Sequence, residues 1–239
     1  MTQLDVDNLT VDYPPIVDTT RKPWARQHLE FYAEPRGVAD AVARVIYPMI
    51  VRANSDPYRP RVWDPFCGTG RMVRAFERVG ARAGGADLVP RWEFCPQHHA
   101  QPTNLQIGDS LDGLRWPGCY DAIVSNPPYN RRLLWQALAL ATTYASVVAF
   151  VLPAAFWHSR GARQHCDGLA EVRSLIPRPS MPPGVYDEEA RHGPDGRPVG
   201  GGKMDFLMAI WCEGHIMPPA MGWLDWKGNC EANEFNRKI

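Results

Sequence analysis

Short apolar runs alternate with helical patterns along most of this chain. Seven runs have the length of a buried strand and end at a turn signal or a polar residue: 61–64, 82–88, 104–107, 121–125, 147–152, 172–176 and 205–212. Four further segments suggest helices: 35–46, 71–79, 133–144 and 159–167. Strands that alternate with helices are typical of a parallel sheet covered on both faces. The pattern predicts an α/β fold with a doubly wound, mostly parallel, Rossmann-like sheet of seven strands and an antiparallel strand at its edge.

The distribution of proline and glycine divides the chain. Residues 1–26 contain two proline-rich breaks and predict an irregular N-terminal arm, and residues 27–239 have the length of one α/β domain. The segment 177–203 is rich in proline and glycine and predicts a long loop inside that domain.

Composition excludes several classes of protein. The 26 basic and 26 acidic side chains balance, which argues against a protein that coats nucleic acid indiscriminately. Six cysteines at irregular positions favour free thiols in a reducing compartment. The polar, acidic N-terminus does not resemble a signal peptide, and no apolar run reaches the length of a membrane span. We expect a cytoplasmic protein, in a bacterial cell or an infected host cell.

Glycines and acids follow three of the predicted strands. Gly68 and Gly70 lie in a turn between a strand that ends at Asp64 and a helix, and this turn lacks the lysine of a phosphate-binding loop. Asp87 ends the second strand and Asp109 follows the third. Because parallel strands share one carboxyl edge, these side chains predict a ligand crevice there, with Asp87 placed to accept from ribose hydroxyls.

The fourth strand ends in the stiff loop Asn126-Pro127-Pro128-Tyr129. The two prolines restrict the backbone, so the loop cannot continue as strand or helix. The Asn126 side chain and the Pro127 backbone each offer a carbonyl acceptor, and Tyr129 offers a flat ring. These groups suit a planar ligand that carries an NH2 group.

The order of these motifs resembles the S-adenosylmethionine-dependent amino-methyltransferases. Asp64-Pro-Phe-Cys-Gly-Thr-Gly70, then Asp87, Asp109 and Asn126-Pro-Pro-Tyr129 are most similar to the N6-adenine DNA methyltransferases of bacteria and phages. The segment Phe31-Tyr32-Ala33-Glu34-Pro35 precedes the glycine motif, as in the γ arrangement of that family. The resemblance covers about residues 27–226.

The resemblance implies roles for individual residues. Phe31 or Tyr32 would flank the cofactor, Gly68 and Gly70 would pass its methionine part, and Asp64 would lie near its ammonium group. Asp87 would take the ribose hydroxyls and Asp109 the adenine amine. Catalysis would belong to Asn126, Pro127 and Tyr129. The remaining implied contacts are Phe66, Ser110 and Asn126 for the cofactor and Pro128, Tyr129 and Lys203 for the DNA substrate.

Several assignments have alternatives. Phe156 and Trp157 follow a predicted strand and could form a second wall for the base, or equally belong to the core. Cys95, His98 and His99 suggest metal ligands but have no partner pair at zinc spacing, so we predict no metal site. The same acceptor set would serve a protein glutamine amide or guanine N2 in ribosomal RNA. A non-catalytic, DNA-binding subunit of this fold is the remaining alternative.

Overall fold

Strands and helices alternate through the computed structural model, which describes residues 32–53, 59–94, 104–111, 119–181 and 204–228. Predictions for the arm 1–26, Phe31, the segment 95–99, Lys203 and most of the loop 177–203 lie outside the described residues. The strands are β1 (Arg61–Asp64), β2 (Arg82–Asp87), β3 (Leu105–Ile107), β4 (Tyr120–Ser125), β5 (Ala145–Pro153), β6 (Leu169–Ile176), β7 (Phe206–Cys212) and β8 (Ala220–Asp225). The α-helices are α1 (Arg36–Ala53), α2 (Arg71–Arg78), α3 (Arg131–Tyr144) and α4 (Arg160–Gln164), with 3-10 turns at Arg91–Phe94 and Ala154–Phe156.

The helices begin where their sequences provide a start signal. Helix α1 follows Pro35, and the Asn130 side chain accepts from the backbone N–H of Arg132 at the start of α3, at 3.0 Å. Ser159 caps α4 in the same way, since its hydroxyl accepts from the backbone N–H of Ala162 at 3.2 Å. These side chains satisfy N–H groups that the first turn of a helix leaves without a partner.

The described strands form one sheet in the order β3-β2-β1-β4-β5-β7-β6-β8. Strand β1 pairs in parallel with β2 on one side and with β4 on the other. From β1 the chain adds β2 and then β3 on one side of the sheet. It then crosses to the other side of β1 and continues with β4 and β5. The point between β1 and β4 where this direction changes is where open α/β sheets bind ligands, at the carboxyl ends of the strands.

The predicted α/β fold with a mostly parallel sheet is confirmed, and two details of that sheet differ from the prediction. The described residues form eight strands rather than seven, because β8 was not predicted and pairs in parallel with β6. The antiparallel strand β7 is not at the edge, since it pairs with β5 on one side and β6 on the other. Six of its seven residues are buried, which favours an interior position. Strand β6 has partly exposed side chains and lies nearer the edge.

Each face of the sheet supports a separate apolar core. One cluster joins residues of α1 and α2, such as Val42 and Phe76, to Val124 of β4. The other joins Leu134 of α3 to Ile123 of β4. Neighbouring residues of β4 thus face opposite cores, as the two-residue period of a strand requires. Within the described ranges, no helix combines the length and apolarity that a bilayer crossing requires.

Candidate active site

The turn between β1 and α2 brings backbone close to the carboxyl edge of the sheet. Gly68 and Gly70 both have left-handed backbone, with φ of 51° and 75°, which glycine adopts without strain. Gly85 of β2 passes under this turn, where an added Cβ would lie 2.6 Å from the carbonyl oxygen of Asp64. The turn is therefore held close to β2 by a position that has room only for hydrogen.

Asp87, at the end of β2, is hydrogen-bonded to this turn. Its Oδ2 accepts from the backbone N–H of Gly68 at 2.9 Å, and its Oδ1 accepts from the backbone N–H of Val89 at 3.2 Å. The Arg91 guanidinium forms a buried ion pair with the same carboxylate. Burial raises the pKa of Asp87, and the ion pair and the two N–H donors oppose that rise. The carboxylate is thus fixed in direction before any ligand binds.

Asp109 and Ser110 follow β3 on the same edge. Asp109 is exposed, and its Oδ1 accepts from the backbone N–H of Leu111 at 2.9 Å. Ser110 is buried and its hydroxyl donates to the carbonyl oxygen of Pro65. This hydrogen bond links the end of β3 to the glycine turn.

Asn126, just after β4, makes hydrogen bonds with both ends of its side-chain amide. Its Nδ2 donates to the carbonyl oxygen of Tyr32 at 2.7 Å and to Oε2 of Glu34 at 3.2 Å. Its Oδ1 accepts from the Tyr129 hydroxyl. The amide therefore joins the segment before α1 to the Asn-Pro-Pro-Tyr loop.

The Tyr129 ring contacts two other aromatic rings. It stacks on the Tyr32 ring with centroids 5.3 Å apart and planes 20° apart. The Phe206 ring lies 5.9 Å away at a tilt of 46°. One face of Tyr129 is thus already covered by Tyr32.

A cleft at the carboxyl edge brings together many of the predicted residues. Those on its wall are Tyr32, Phe66, Gly68, Asp87, Asp109, Ser110, Asn126 and Pro128. Predicted residues outside this lining are Asp64, Gly70, Pro127, Tyr129, Phe156 and Trp157. The cleft therefore joins the glycine turn, both acids that follow strands, and the amide of the proline loop.

Asp64 lies beside the cleft and not on its wall. It is 3% exposed, and its Oδ1 accepts from the Ser125 hydroxyl at 2.6 Å and from the backbone N–H of Phe66 at 3.1 Å. Burial raises its pKa well above the usual carboxyl range, and the nearby Glu34 carboxylate raises it further. In this position Asp64 links the ends of β1 and β4, and its implied place near a bound ammonium group stays a prediction.

Phe156 and Trp157 belong to the apolar core between α3 and the sheet. Phe156 is buried, and its ring lies 4.6 Å from the Trp135 ring. Trp157 packs against the same cluster. These contacts favour the core alternative for this pair, and neither residue lines the cleft.

The cleft also includes residues that sequence reasoning did not assign. Glu34 and Arg91 are buried on its wall, and Cys67 contributes a thiol whose pKa burial raises well above normal. The i, i+4 spacing of Asp87 and Arg91 is the one signal that could have indicated the ion pair. Glu34 carries no such signal, because its partner Asn126 is far away in the sequence. Among the described residues, no group of three His, Cys, Asp or Glu side chains is arranged to hold a metal ion.

The sequence matches no protein-family model and no curated protein. Solved structures do match its fold. A candidate RNA methyltransferase from Pyrococcus horikoshii aligns over 81% of this chain and 93% of its own, with a TM-score of 0.53 and 15% identity. A candidate class I S-adenosylmethionine-dependent methyltransferase from Listeria monocytogenes aligns over 79% and 66%, with a TM-score of 0.52 and 12% identity. The chain has the class I methyltransferase fold.

A third similar structure comes from a DNA-modifying system. The methyltransferase subunit of a type I restriction-modification system from Streptococcus thermophilus aligns over 78% of this chain, with a TM-score of 0.51 and 16% identity. This chain spans only 45% of that subunit. Likeness at such low identity establishes the fold alone, and the chemistry of the cleft depends on its own residues.

Proposed function

We propose that this protein transfers a methyl group from S-adenosylmethionine to the exocyclic N6 amine of adenine in DNA. The observation that carries the proposal is the position of Asn126. Its amide lies on the wall of the same cleft as Gly68, Asp87 and Asp109. One cavity thus combines a glycine turn and acids suited to a nucleoside cofactor with an acceptor suited to an amine.

The side chains of the cleft fit this cofactor. Asp109 offers an exposed carboxylate for the adenine amine, and the left-handed glycine turn offers backbone without side chains for the methionine part. Asp87 would accept from the ribose hydroxyls. Its oxygens already accept from Gly68, Val89 and Arg91, but two carboxylate oxygens provide about four acceptor positions. When bound, the cofactor supplies an electrophilic methyl group on a positively charged sulfur.

Asn126 would prepare the adenine amine for methylation. The N6 lone pair is delocalised into the ring, which makes the nitrogen a poor nucleophile. An N–H donated to Asn126 Oδ1 moves out of the ring plane and returns electron density to the nitrogen. In-line attack would form the N–CH3 bond as the S–CH3 bond breaks, and the positively charged, methylated nitrogen would then lose one proton to solvent, so no strong base is needed. Holding reactants in this alignment contributes roughly 7–11 kcal/mol in favourable cases.

No thiol nucleophile is required in this proposal. Cys67 lies on the cleft wall, yet its raised pKa keeps the thiol protonated, and the thiolate is the reactive form. Burial and the neighbouring Asp64 and Asp87 carboxylates all act in the same direction. The chemistry therefore belongs to the amide and not to the cysteine.

The target base would have to leave the duplex to reach Asn126. Flipping costs a few kcal/mol, and stacking on an aromatic ring returns about 1–3 kcal/mol. Tyr32 covers one face of Tyr129, so a base would stack on the other face or contact Pro128, which lines the cleft. The similar restriction-modification subunit favours DNA, whereas the similar Pyrococcus protein makes an amine in RNA the second candidate.

Methyl transfer with labelled cofactor tests the proposal. Purified protein is incubated with separate DNA, RNA and protein pools, and the digested products are analysed by mass spectrometry. We expect N6-methyladenine from the DNA pool. Label confined to RNA or protein would contradict the DNA proposal, and label in no pool would contradict methyl transfer.

The variant Asn126→Ala assigns the activity to the cleft. We expect turnover to fall by about 100- to 1,000-fold, the loss typical of removing one preorganised hydrogen-bonding group. Cofactor affinity, measured by isothermal titration, should change little. The control Asn104→Ala removes an amide that lies before β3 and contacts the Ala83 carbonyl oxygen. Equal loss of turnover and affinity in Asn126→Ala would remove Asn126 from the catalytic role.

A further inference from the structure

We propose that Glu34 is a positioning residue that fixes and polarises the Asn126 amide; the inference rests on the proposed function. Glu34 is 9% exposed and lies on the cleft wall just before α1. Its Oε2 accepts from Asn126 Nδ2 at 3.2 Å. It is thus a carboxylate that contacts the group proposed to hold the target amine.

The surroundings of Asn126 determine which way its amide points. The Tyr32 carbonyl oxygen and the Glu34 carboxylate are both acceptors, and both lie on the Nδ2 side. If the amide turned by half a rotation, Oδ1 would face these two acceptors. The hydroxyl of Tyr129 lies on the other side and donates to Oδ1. Two acceptors and one donor therefore select a single orientation.

This orientation leaves acceptor capacity where the proposed reaction needs it. A carbonyl oxygen has two lone pairs, and the Tyr129 hydroxyl occupies one of them. The second lone pair can accept an N–H from the target amine. Asn126 in the opposite orientation would present donors to that amine, which already carries two N–H groups. Loss of the selected orientation should therefore slow methyl transfer directly.

The carboxylate also strengthens Oδ1 as an acceptor. A hydrogen bond with a charged partner is about twice as strong as a neutral one, and hydrogen bonds in a chain polarise one another. Donation from Nδ2 to Glu34 shifts electron density through the amide toward Oδ1. Glu34 thus acts on the reaction through Asn126 without touching the substrate.

Glu34 is itself held in place by α2. The Arg71 Nη1 donates to the Glu34 carbonyl oxygen at 2.6 Å, and Arg71 is buried at the start of that helix. Helix α2 follows the glycine turn directly. The helix that follows the glycine turn therefore also fixes the backbone from which the Glu34 side chain extends.

The test compares Glu34→Gln, Glu34→Ala and the control Glu77→Gln, which changes a carboxyl group on α2 that is not part of the cleft lining. Glutamine keeps an acceptor for Asn126 Nδ2, whereas alanine removes it. We expect Glu34→Ala to lower kcat by about 10- to 100-fold, as a misplaced catalytic group does, with cofactor affinity unchanged. We expect Glu34→Gln to retain most of the turnover and Glu77→Gln to retain all of it.

A spectroscopic readout makes the inference independent of activity. The two side-chain amide protons of Asn126 are observed by proton–nitrogen correlation NMR and assigned by their loss in Asn126→Ala. In Glu34→Ala they should move upfield and exchange faster with solvent, and Glu34→Gln should show a smaller change. This measurement also applies if one variant is too unstable for kinetics.

Two results would overturn the role of Glu34. Unchanged Asn126 amide resonances in both variants would show that Glu34 does not hold the amide. Cofactor affinity that falls in step with turnover in both variants would make Glu34 a ligand for the cofactor's ammonium group. If the wild-type protein methylates no pool, the proposed function fails, while the amide resonances still decide whether Glu34 orients Asn126.

Discussion

The buried carboxyl group of Asp64 should make the protein less stable as pH rises. Asp64 is 3% exposed, and its described hydrogen bonds come from the neutral donors Ser125 and Phe66. Burial is the largest cause that raises its pKa, and the nearby Glu34 and Asp87 carboxylates act in the same direction. We therefore expect Asp64→Asn to change the pH dependence of stability.

The sign and size follow from proton linkage. Unfolded Asp64 loses its proton near its ordinary pKa of about 3.9, while the folded protein keeps it up to the raised pKa. Between these two pKa values the folded state binds more protons, so the free energy of unfolding falls as pH rises, by about 1.4 kcal/mol per pH unit. Because the pKa is raised well above its usual range, this fall should continue from the ordinary pKa of Asp64 up to its raised pKa in the folded protein.

Urea unfolding of the wild type and of Asp64→Asn, at pH values from about 4 to 8, gives the free energy of unfolding of each protein as a function of pH. Asparagine does not ionise. The free energy of unfolding of the variant minus that of the wild type should therefore increase as pH rises. The new N–H donors of asparagine add a cost that does not depend on pH, so the difference between the two pH profiles is the diagnostic quantity. Asp167→Asn, at an exposed position before β6, is the control.

Parallel pH profiles for the wild type and Asp64→Asn would refute the reasoning. They would mean that Asp64 has the same pKa in the folded and unfolded states. If the free energy of unfolding of Asp64→Asn minus that of the wild type decreased as pH rises, the predicted sign would be wrong. Such a decrease would require that hydrogen-bond donors or a cation stabilise the Asp64 carboxylate by more than burial disfavours it.

The other predictions concern the walls of the cleft. Gly85→Ala should lower the free energy of unfolding by about 1–3 kcal/mol. The added Cβ would lie 2.6 Å from the Asp64 carbonyl oxygen and 2.7 Å from the Cys67 Cβ. A melting temperature equal to that of the wild type would contradict this prediction. Asp87→Ala should weaken cofactor binding by about 10-fold or more, as loss of a charged hydrogen-bonding group does, while turnover at saturation changes less. Isothermal titration beside saturation kinetics measures both, and unchanged affinity would remove Asp87 from the cofactor site.

Much of the fold could be predicted from the sequence because its signals are local. The apolar run of β5 and the regular spacing of Phe76 and its neighbours in α2 are each readable within a few residues. Strand β8 could not be predicted in this way. Its side chains are mostly exposed, and its stability depends on pairing with β6, which lies far away in the sequence. Strand order is a property of such distant pairs, so the interior position of β7 was also missed.

For the candidate site, too, local features could be predicted and contacts between distant segments could not. The carboxyl ends of β1 to β4 could be predicted to converge, and Gly68, Asp87, Asp109 and Asn126 do meet at one cleft. The direction of each side chain could not be predicted from spacing. Asp64 turns toward Ser125, and Glu34 reaches Asn126. Both outcomes depend on contacts between segments that the sequence keeps apart.

A crystal structure of the protein with S-adenosylhomocysteine, the demethylated form of the cofactor, is the sharpest test of a shared cavity. We expect this ligand to bind in the cleft, with its adenine at Asp109, its ribose at Asp87 and its sulfur facing Asn126. Density for the ligand at another place, or a cleft that stays empty at saturating ligand, would contradict the claim that one cavity serves both the methyl donor and the target amine.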